Sequence, residues 1–259
     1  MAGGGGVGLD AAAWPEVGED PLVLVPVGST EQHGPHLPLS TDTVIAEAVA
    51  RRAAEALRAG AAGRPVFAAP AIAFGASGEH AGFPGVISIG HDALRAVIVE
   101  AVRSVTDWAG RVVLVNGHGG NVPALDAAVG LLRREGRDTA WTGCGVPGGD
   151  AHAGFTETSM MLHLAPHLVR PFQDVAGDTR PLAAIMPELV ARGVRAVSPS
   201  GVLGDPAGAS ADRGRAFVEA AVASLVGRIR GGRTDDRGRL LDAPAARART
   251  LRPRRASPS

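Results

Sequence analysis

Lysine and tyrosine are missing from this 259-residue chain, and cysteine occurs once. All 26 basic side chains are therefore arginine, and 26 acidic residues balance them to a formal net charge of zero. That balance gives no mark of a nucleic-acid partner or an anionic membrane surface. Arginine in place of lysine, with abundant alanine and glycine, reads as coding bias and not as function. The lone Cys144 excludes an internal disulfide and favours a reducing, cytoplasmic setting. No apolar run reaches the ~20 residues a membrane helix needs. The opening MAGGGGVGLD has neither the basic stretch nor the apolar core of a secretory signal. A G-x-S-x-G nucleophile elbow is also missing, so serine hydrolysis of that type has no support.

What is present is an alternation of strand-like and helix-like segments. LVLVPV (22–27) is a short apolar run ended by Gly28, as expected of a buried strand. Residues 42–60 start at a capping-type Asp, are rich in Ala and end at Gly, which predicts a helix. PVFAAPAI (65–72) reads as a second strand. A helix from Asp92 would put Leu94, Val97, Ile98, Ala101, Val105 and Trp108 on one stripe. RVVLVN (111–116) is a third strand, 122–136 a helix with proline in its first turn, and 138–143 a fourth strand. Thr156 to Leu164 forms a short helix and Ser210 to Arg230 a last one. Residues 1–20 are expected to be flexible, 21–230 to form one domain, and 231–259 to be a disordered Arg/Pro-rich tail, solvated and not bound to nucleic acid. Strands separated by such helices pair in parallel through right-handed crossovers. Ligands then bind at the strands' carboxyl ends. That rule selects the loops after Val27, Ile72 and Val115.

The first of these loops, GSTEQHGPHLPLSTD (28–42), carries Glu31 and His33 two residues apart, so both side chains point the same way in extended backbone. Asp42 opens the next helix. Carboxylates and imidazoles together suit Zn²⁺, Mn²⁺ or Fe²⁺. The bland alternative is a polar loop with Asp42 as a simple helix cap. The third loop, NGHGGN (116–121), surrounds His118 with glycines and lacks the GK[ST] and the full GxGxxG spacing of phosphate loops. A further segment, GGDAHAGFTETSMMLHL (148–164), brings His152 and Glu157 across a turn. Glu157 has a competing explanation, since a carboxylate at a helix N-terminus is favoured by the dipole. His163, His167 and Cys144 read as structural. Glu79 and His80, in the loop after the second strand, either line a cleft or belong to a plain surface loop.

GSTEQHGPHLPLSTD, GASGEHAGFPGVISIG (75–90), NGHGGN, DAHAGFTETS and GVLGDPAGASADRGR (201–215) stand in the order seen in creatininase-like amidohydrolases, and the chain resembles that family from Pro21 to Arg230. The resemblance implies an α/β fold, a three-layer αβα sandwich with a mostly parallel central sheet. It also implies two divalent ions, zinc or iron with manganese as an option. Glu31, Asp42 and His118 would hold one, and His33, Asp42 and a second carboxylate the other, with Asp42 bridging. In creatininase that second carboxylate lies two residues after the His of the NGH motif, where this chain has Gly120. Glu157 is expected to substitute. His152 is the candidate proton shuttle, with Glu157 beside it.

Within the family, the compact length and the stretch CGVPGGDAHAGFTETS resemble members that trim a modified precursor peptide. Those members release a Val-Tyr-derived C-terminal dipeptide on the way to a redox cofactor. An arginine such as Arg180 or Arg213 could hold the chain end. The absence of tyrosine removes an aromatic wall of a creatinine pocket. Two alternatives stand beside this reading: hydrolysis of a small cyclic amide or formamide, and a non-catalytic metal-dependent peptide-binding protein. Family likeness also implies a homo-oligomer, with a hexamer as the candidate state.

Overall fold

Each apolar run that the sequence marks as a buried strand becomes one. The computed structural model describes residues 6–60 and 64–242. Its strands are β1 (Leu22–Val27), β2 (Val66–Ala68), β3 (Arg111–Asn116) and β4 (Thr139–Gly143). They form one sheet in the order β2-β1-β3-β4, every pair parallel. The helices are α1 (Thr41–Gly60), α2 (Gly90–Val105), α3 (Val122–Arg134), α4 (Phe155–Leu164), α5 (Leu182–Arg192), α6 (Val194–Val197) and α7 (Ala211–Gly231).

Period-two alternation divides the strand side chains between two cores. Leu22, Leu24, Val113 and Val115 meet α1, α4 and α7 on one face. Val23, Val25, Val112 and Leu114 meet α2 and α3 on the other. Helices on both faces make the three-layer αβα sandwich, and its central sheet is entirely parallel. All six residues of β1 are buried, as a strand covered on both faces requires. No helix among the described residues is long and apolar enough to cross a membrane.

Four local features depart from the sequence reading. The 65–72 strand pairs regularly only over Val66–Ala68, since Pro70 has no N–H to give, and an isolated bridge joins Val27 to Ile72. Helix α2 stops at Val105 and buries Leu94, Ile98, Val99 and Val102, leaving Val97 and Trp108 exposed. The expected flexible N-terminus contains ordered backbone from Val7, whose carbonyl accepts the Ala68 N–H at 2.8 Å. The expected tail likewise begins ordered. Gly238 accepts from Trp141 N–H at 3.0 Å, and Leu240 N–H donates to Trp141 at 2.8 Å. This segment covers the open edge of β4, whose unpaired backbone groups are a template for added chain. Residues 243–259 of the expected tail lie outside the described residues.

Helices α5 and α6 were not anticipated. They close a small core of Ile185, Leu189, Val194 and Leu203, against which Phe83 and Val197 pack.

Candidate metal centre

The carboxyl ends of β1 and β3 converge on the first turn of α1. Gly117 makes this approach feasible, because a Cβ there would sit 2.6 Å from the Asp42 carbonyl oxygen. The loop after β1 then brings Glu31 and His33 to Asp42, and the loop after β3 brings His118. Glu157 arrives from the first turn of α4, its Oε2 accepting the Ala153 N–H at 2.6 Å. Ala153 holds φ at 54°, left-handed backbone that a non-glycine residue adopts at a cost, beside the cluster.

His33 Nε2 lies 3.1 Å from Asp42 Oδ1 and 3.7 Å from Glu157 Oε2. His118 Nδ1 lies 3.1 Å from Glu31 Oε2 and 3.6 Å from Asp42 Oδ2. The two oxygens of Asp42 thus face different neighbours. Two groups result, Glu31–Asp42–His118 and His33–Asp42–Glu157, each with donor atoms all within 4.8 Å of one another. A third such group joins Glu31, His33 and His152. The structure therefore brings together all six residues singled out in the sequence.

Glu31 Oε1 and Oε2 and Asp42 Oδ2 are buried without a hydrogen-bond partner. His80 and His118 nitrogens stand 3.1 Å from the Glu31 oxygens but do not meet hydrogen-bond geometry. Buried carboxylate oxygens left this way are costly unless a cation compensates them. Oxygen and imidazole donors are the ligands that divalent zinc, manganese and iron accept. The residues present therefore fit a divalent metal.

Electrostatics within the cluster agree with that fit. Burial opposes the charge on His33, but the Asp42 charge and hydrogen bond, with Glu157 and Glu31, push its pKa up to about 10. Burial likewise opposes a charged His118, and Glu31, Glu79 and Asp42 overcome it to raise that pKa well above its usual value. Burial resists ionisation of Glu31, yet His118 and His80 hold its carboxyl well below the usual range. Glu157 goes the other way: burial, opposed by His33 and helped by Asp42, lifts it to about 7. His152 is held well below its ordinary value, first by burial and then by His33 and His80. The cluster's carboxylates thus favour positive charge on His33 and His118.

The cluster forms the floor of a cleft of about 470 Å³. Asp42, His118, His152 and Glu157 line one side, and Leu182, Met186, Leu189 and Val190 of α5 make an apolar wall. Among the described residues, no arginine lines it. Arg180 pairs with Asp178, and Arg213 lies in the first turn of α7 with its N–H on Ser210, so neither is the expected chain-end clamp. His163 faces Arg52 at 3.3 Å, away from the cluster. Cys144 is buried, and burial with the nearby Asp42 charge pushes its thiol up to about 12, so it is no nucleophile. Glu79 and His80 do line the cleft.

Gln32 was overlooked in the sequence. Its amide contacts His80 Nδ1 at 2.8 Å and the Gly201 carbonyl at 3.1 Å, and its own carbonyl lies 2.8 Å from His152 Nε2. The available signal was its place between Glu31 and His33, since alternation turns it to the opposite side of the same extended segment.

A buried carboxylate–imidazole cluster at the strand ends of a parallel sandwich marks an α/β protein with a site fit for divalent metal. Comparison with known proteins narrows the class. The chain belongs to the creatininase family, whose model, described as creatinine amidohydrolase, matches residues 10–229. It is 54% identical over 220 residues to the mycofactocin precursor peptide peptidase of Mycolicibacterium smegmatis, covering 85% of this chain and 89% of that one. The protein of that name from Mycobacterium tuberculosis is 55% identical over 212 residues, covering 81% and 84%. Among solved structures, a putative creatinine amidohydrolase from Bacteroides fragilis superposes with a TM-score of 0.73 at 25% identity, covering 88% of this chain and 97% of that one. The fold and the hydrolase class expected from the sequence both hold.

Proposed function

We propose that this chain is a metal-dependent peptidase that releases a C-terminal Val-Tyr-derived dipeptide from the modified mycofactocin precursor peptide. The observation that carries this reading is the 54% identity to a peptidase of that name across 89% of its length. The cleft is compatible with it, being open and bounded by the apolar wall of α5. In this proposal Glu31, Asp42 and His118 hold one divalent cation, and His33, Asp42 and Glu157 hold a second. Solved creatininases described as Zn-Zn type and as Mn forms, both 26% identical to this chain, support divalent metal of either kind.

Bound divalent cations lower the pKa of water to ~7 and polarise a scissile carbonyl. The chain's own groups supply the rest. His152 places Nε2 2.8 Å from the Gln32 carbonyl, which fixes its proton there, and turns Nδ1 toward the cluster, 3.7 Å from Glu31 Oε1. A neutral ring so held takes a proton from the attacking water and returns it to the leaving amine. Glu157, which in this proposal holds the second cation, lines the same cleft as His152.

The test is incubation of the decarboxylated precursor peptide with metal-loaded protein, followed by mass spectrometry. Release of a Val-Tyr-derived fragment is expected. An intact peptide with turnover of creatinine or a small formamide would move the activity to small amides. Tight peptide binding without any turnover would make the chain a binding protein. Sedimentation of the same sample tests the homo-oligomer.

A further inference from the structure

Resting on the metal centre proposed above, we propose that Glu79 and His80 are positioning residues for one metal group alone, Glu31–Asp42–His118. The two residues are neighbours on a single 3-10 turn, Gly78–His80, and each reaches a different member of that group. Glu79 Oε1 lies 3.1 Å from His118 Nε2, and the Ala76 carbonyl lies 3.3 Å from the same nitrogen. Two acceptors there hold a proton on Nε2, so Nδ1, between Glu31 and Asp42, is the nitrogen free to exchange its proton for a cation. A carboxylate behind an imidazole ligand fixes its tautomer and raises its basicity.

His80 acts on the other member. Its Nε2 lies 3.1 Å from Glu31 Oε1, while its Nδ1 accepts from Gln32 Nε2 at 2.8 Å. The Gln32 amide cannot flip without loss, because its Oε1 accepts the Gly34 N–H at 2.9 Å and its Nε2 donates to Gly201 at 3.1 Å. Nε2 is thereby the nitrogen that His80 turns to the Glu31 side, at ion-pair distance from Oε1. Gly120 supplies the room: a Cβ there would lie 2.4 Å from Glu79 Oε1 and 2.3 Å from His118 Nε2. Among the described residues, the ion-pair contacts of Glu79 and His80 fall on His118 and Glu31 and not on His33 or Glu157. One turn therefore grips one metal group and leaves the other to its own ligands.

The test measures the affinity of the whole protein for Zn²⁺ and for Mn²⁺ by competition with a chromophoric chelator. Glu79→Ala and His80→Ala should weaken one ion ~10–100-fold and leave any second within about twofold, the size of an outer-sphere loss. Glu79→Gln, which keeps an acceptor oxygen, should recover part of the affinity. His80→Gln, which keeps a donor, covers the case in which His80→Ala fails to fold, and thermal melts report which variants fold. A wild-type chain that binds neither ion overturns the metal reading beneath this inference. A wild type that binds ions, with variants that match it or lose both ions together, overturns the inference alone.

Discussion

Metal loading should expel protons, and their number can be worked out from the cluster. In the metal-free chain His33 is protonated up to about pH 10, and His118 is protonated well above the usual histidine range. Both nitrogens must lose those protons to act as ligands. Two divalent ions should therefore release about two protons at pH 7.5, one from each ring, with a minor share from Glu157. The same competition sets the affinity. At pH 7 the His33 proton sits about three pH units below its pKa of about 10, so it opposes binding by roughly 4 kcal/mol at about 1.4 kcal/mol per unit. Apparent affinity for the ion that His33 binds should rise about tenfold per pH unit as that penalty falls.

The stability of the metal-free fold runs the opposite way. A histidine pKa raised from 6.5 to about 10 on folding stabilises fully below pH 6.5 and ceases to do so as pH passes 10. Across pH 6.5 to 10 the apo chain should thus lose stability while the holo chain binds metal more tightly. Calorimetric titration in buffers of different ionisation enthalpy counts the released protons directly. A count near zero, or an affinity flat between pH 7 and 9, would refute the charge assignment of the cluster.

Two further outcomes concern individual side chains. Asp42→Ala should cost both metal groups, because its oxygens face His33 on one side and His118 on the other, whereas His118→Ala should cost one; metal content of the dialysed proteins, with circular dichroism as the fold control, separates the two patterns. His152→Ala should keep its metal and lose turnover by ~10²–10⁴-fold, the range for a missing general acid–base. If metal and activity fall together in that variant, His152 is a ligand within the Glu31–His33–His152 group and not the shuttle.

The sheet was legible because a strand covered on both faces leaves a continuous apolar run. LVLVPV and RVVLVN both declare themselves that way. The cluster was legible because Glu31, His33, Asp42 and His118 fall on loops that a parallel sheet must gather at one edge. Helix α5 was not legible. Pro187 lies inside it and removes a backbone donor, which in a sequence argues for a break. Its apolar residues also fail to form one buried stripe: Ile185 and Leu189 face the core, while Leu182, Met186 and Val190 stay exposed along the cleft. Periodicity that reports burial cannot report an apolar face left exposed along a cleft. Glu79 and His80 were ambiguous for a related reason, since the partner of Glu79, His118, lies 39 positions away and that of His80, Glu31, lies 49 away, and nothing local signals either contact.

Gly120 joins the sequence argument to the structural one. Family resemblance puts a carboxylate at this position, where this chain has none. The space around residue 120 leaves little volume for one. A Cβ on Gly120 would lie 2.5 Å from the Ala76 carbonyl oxygen, which is backbone, besides meeting the His118 and Glu79 side chains. Any side chain there must push His118 away from Glu31 or displace the 76–80 segment. Overpacking of this kind costs typically ~1–3 kcal/mol. Glu157, by contrast, already stands 3.7 Å from His33, anchored by the Ala153 N–H. The two arrangements are thus alternatives, and moving the carboxylate back is not a neutral exchange. Glu157→Gln should lose the ion shared by His33 and Asp42, and adding Gly120→Glu to it should lower metal content further instead of restoring it. Recovery of two ions in that double variant, read by elemental analysis, would show that the space around residue 120 yields easily and that Glu157 is dispensable.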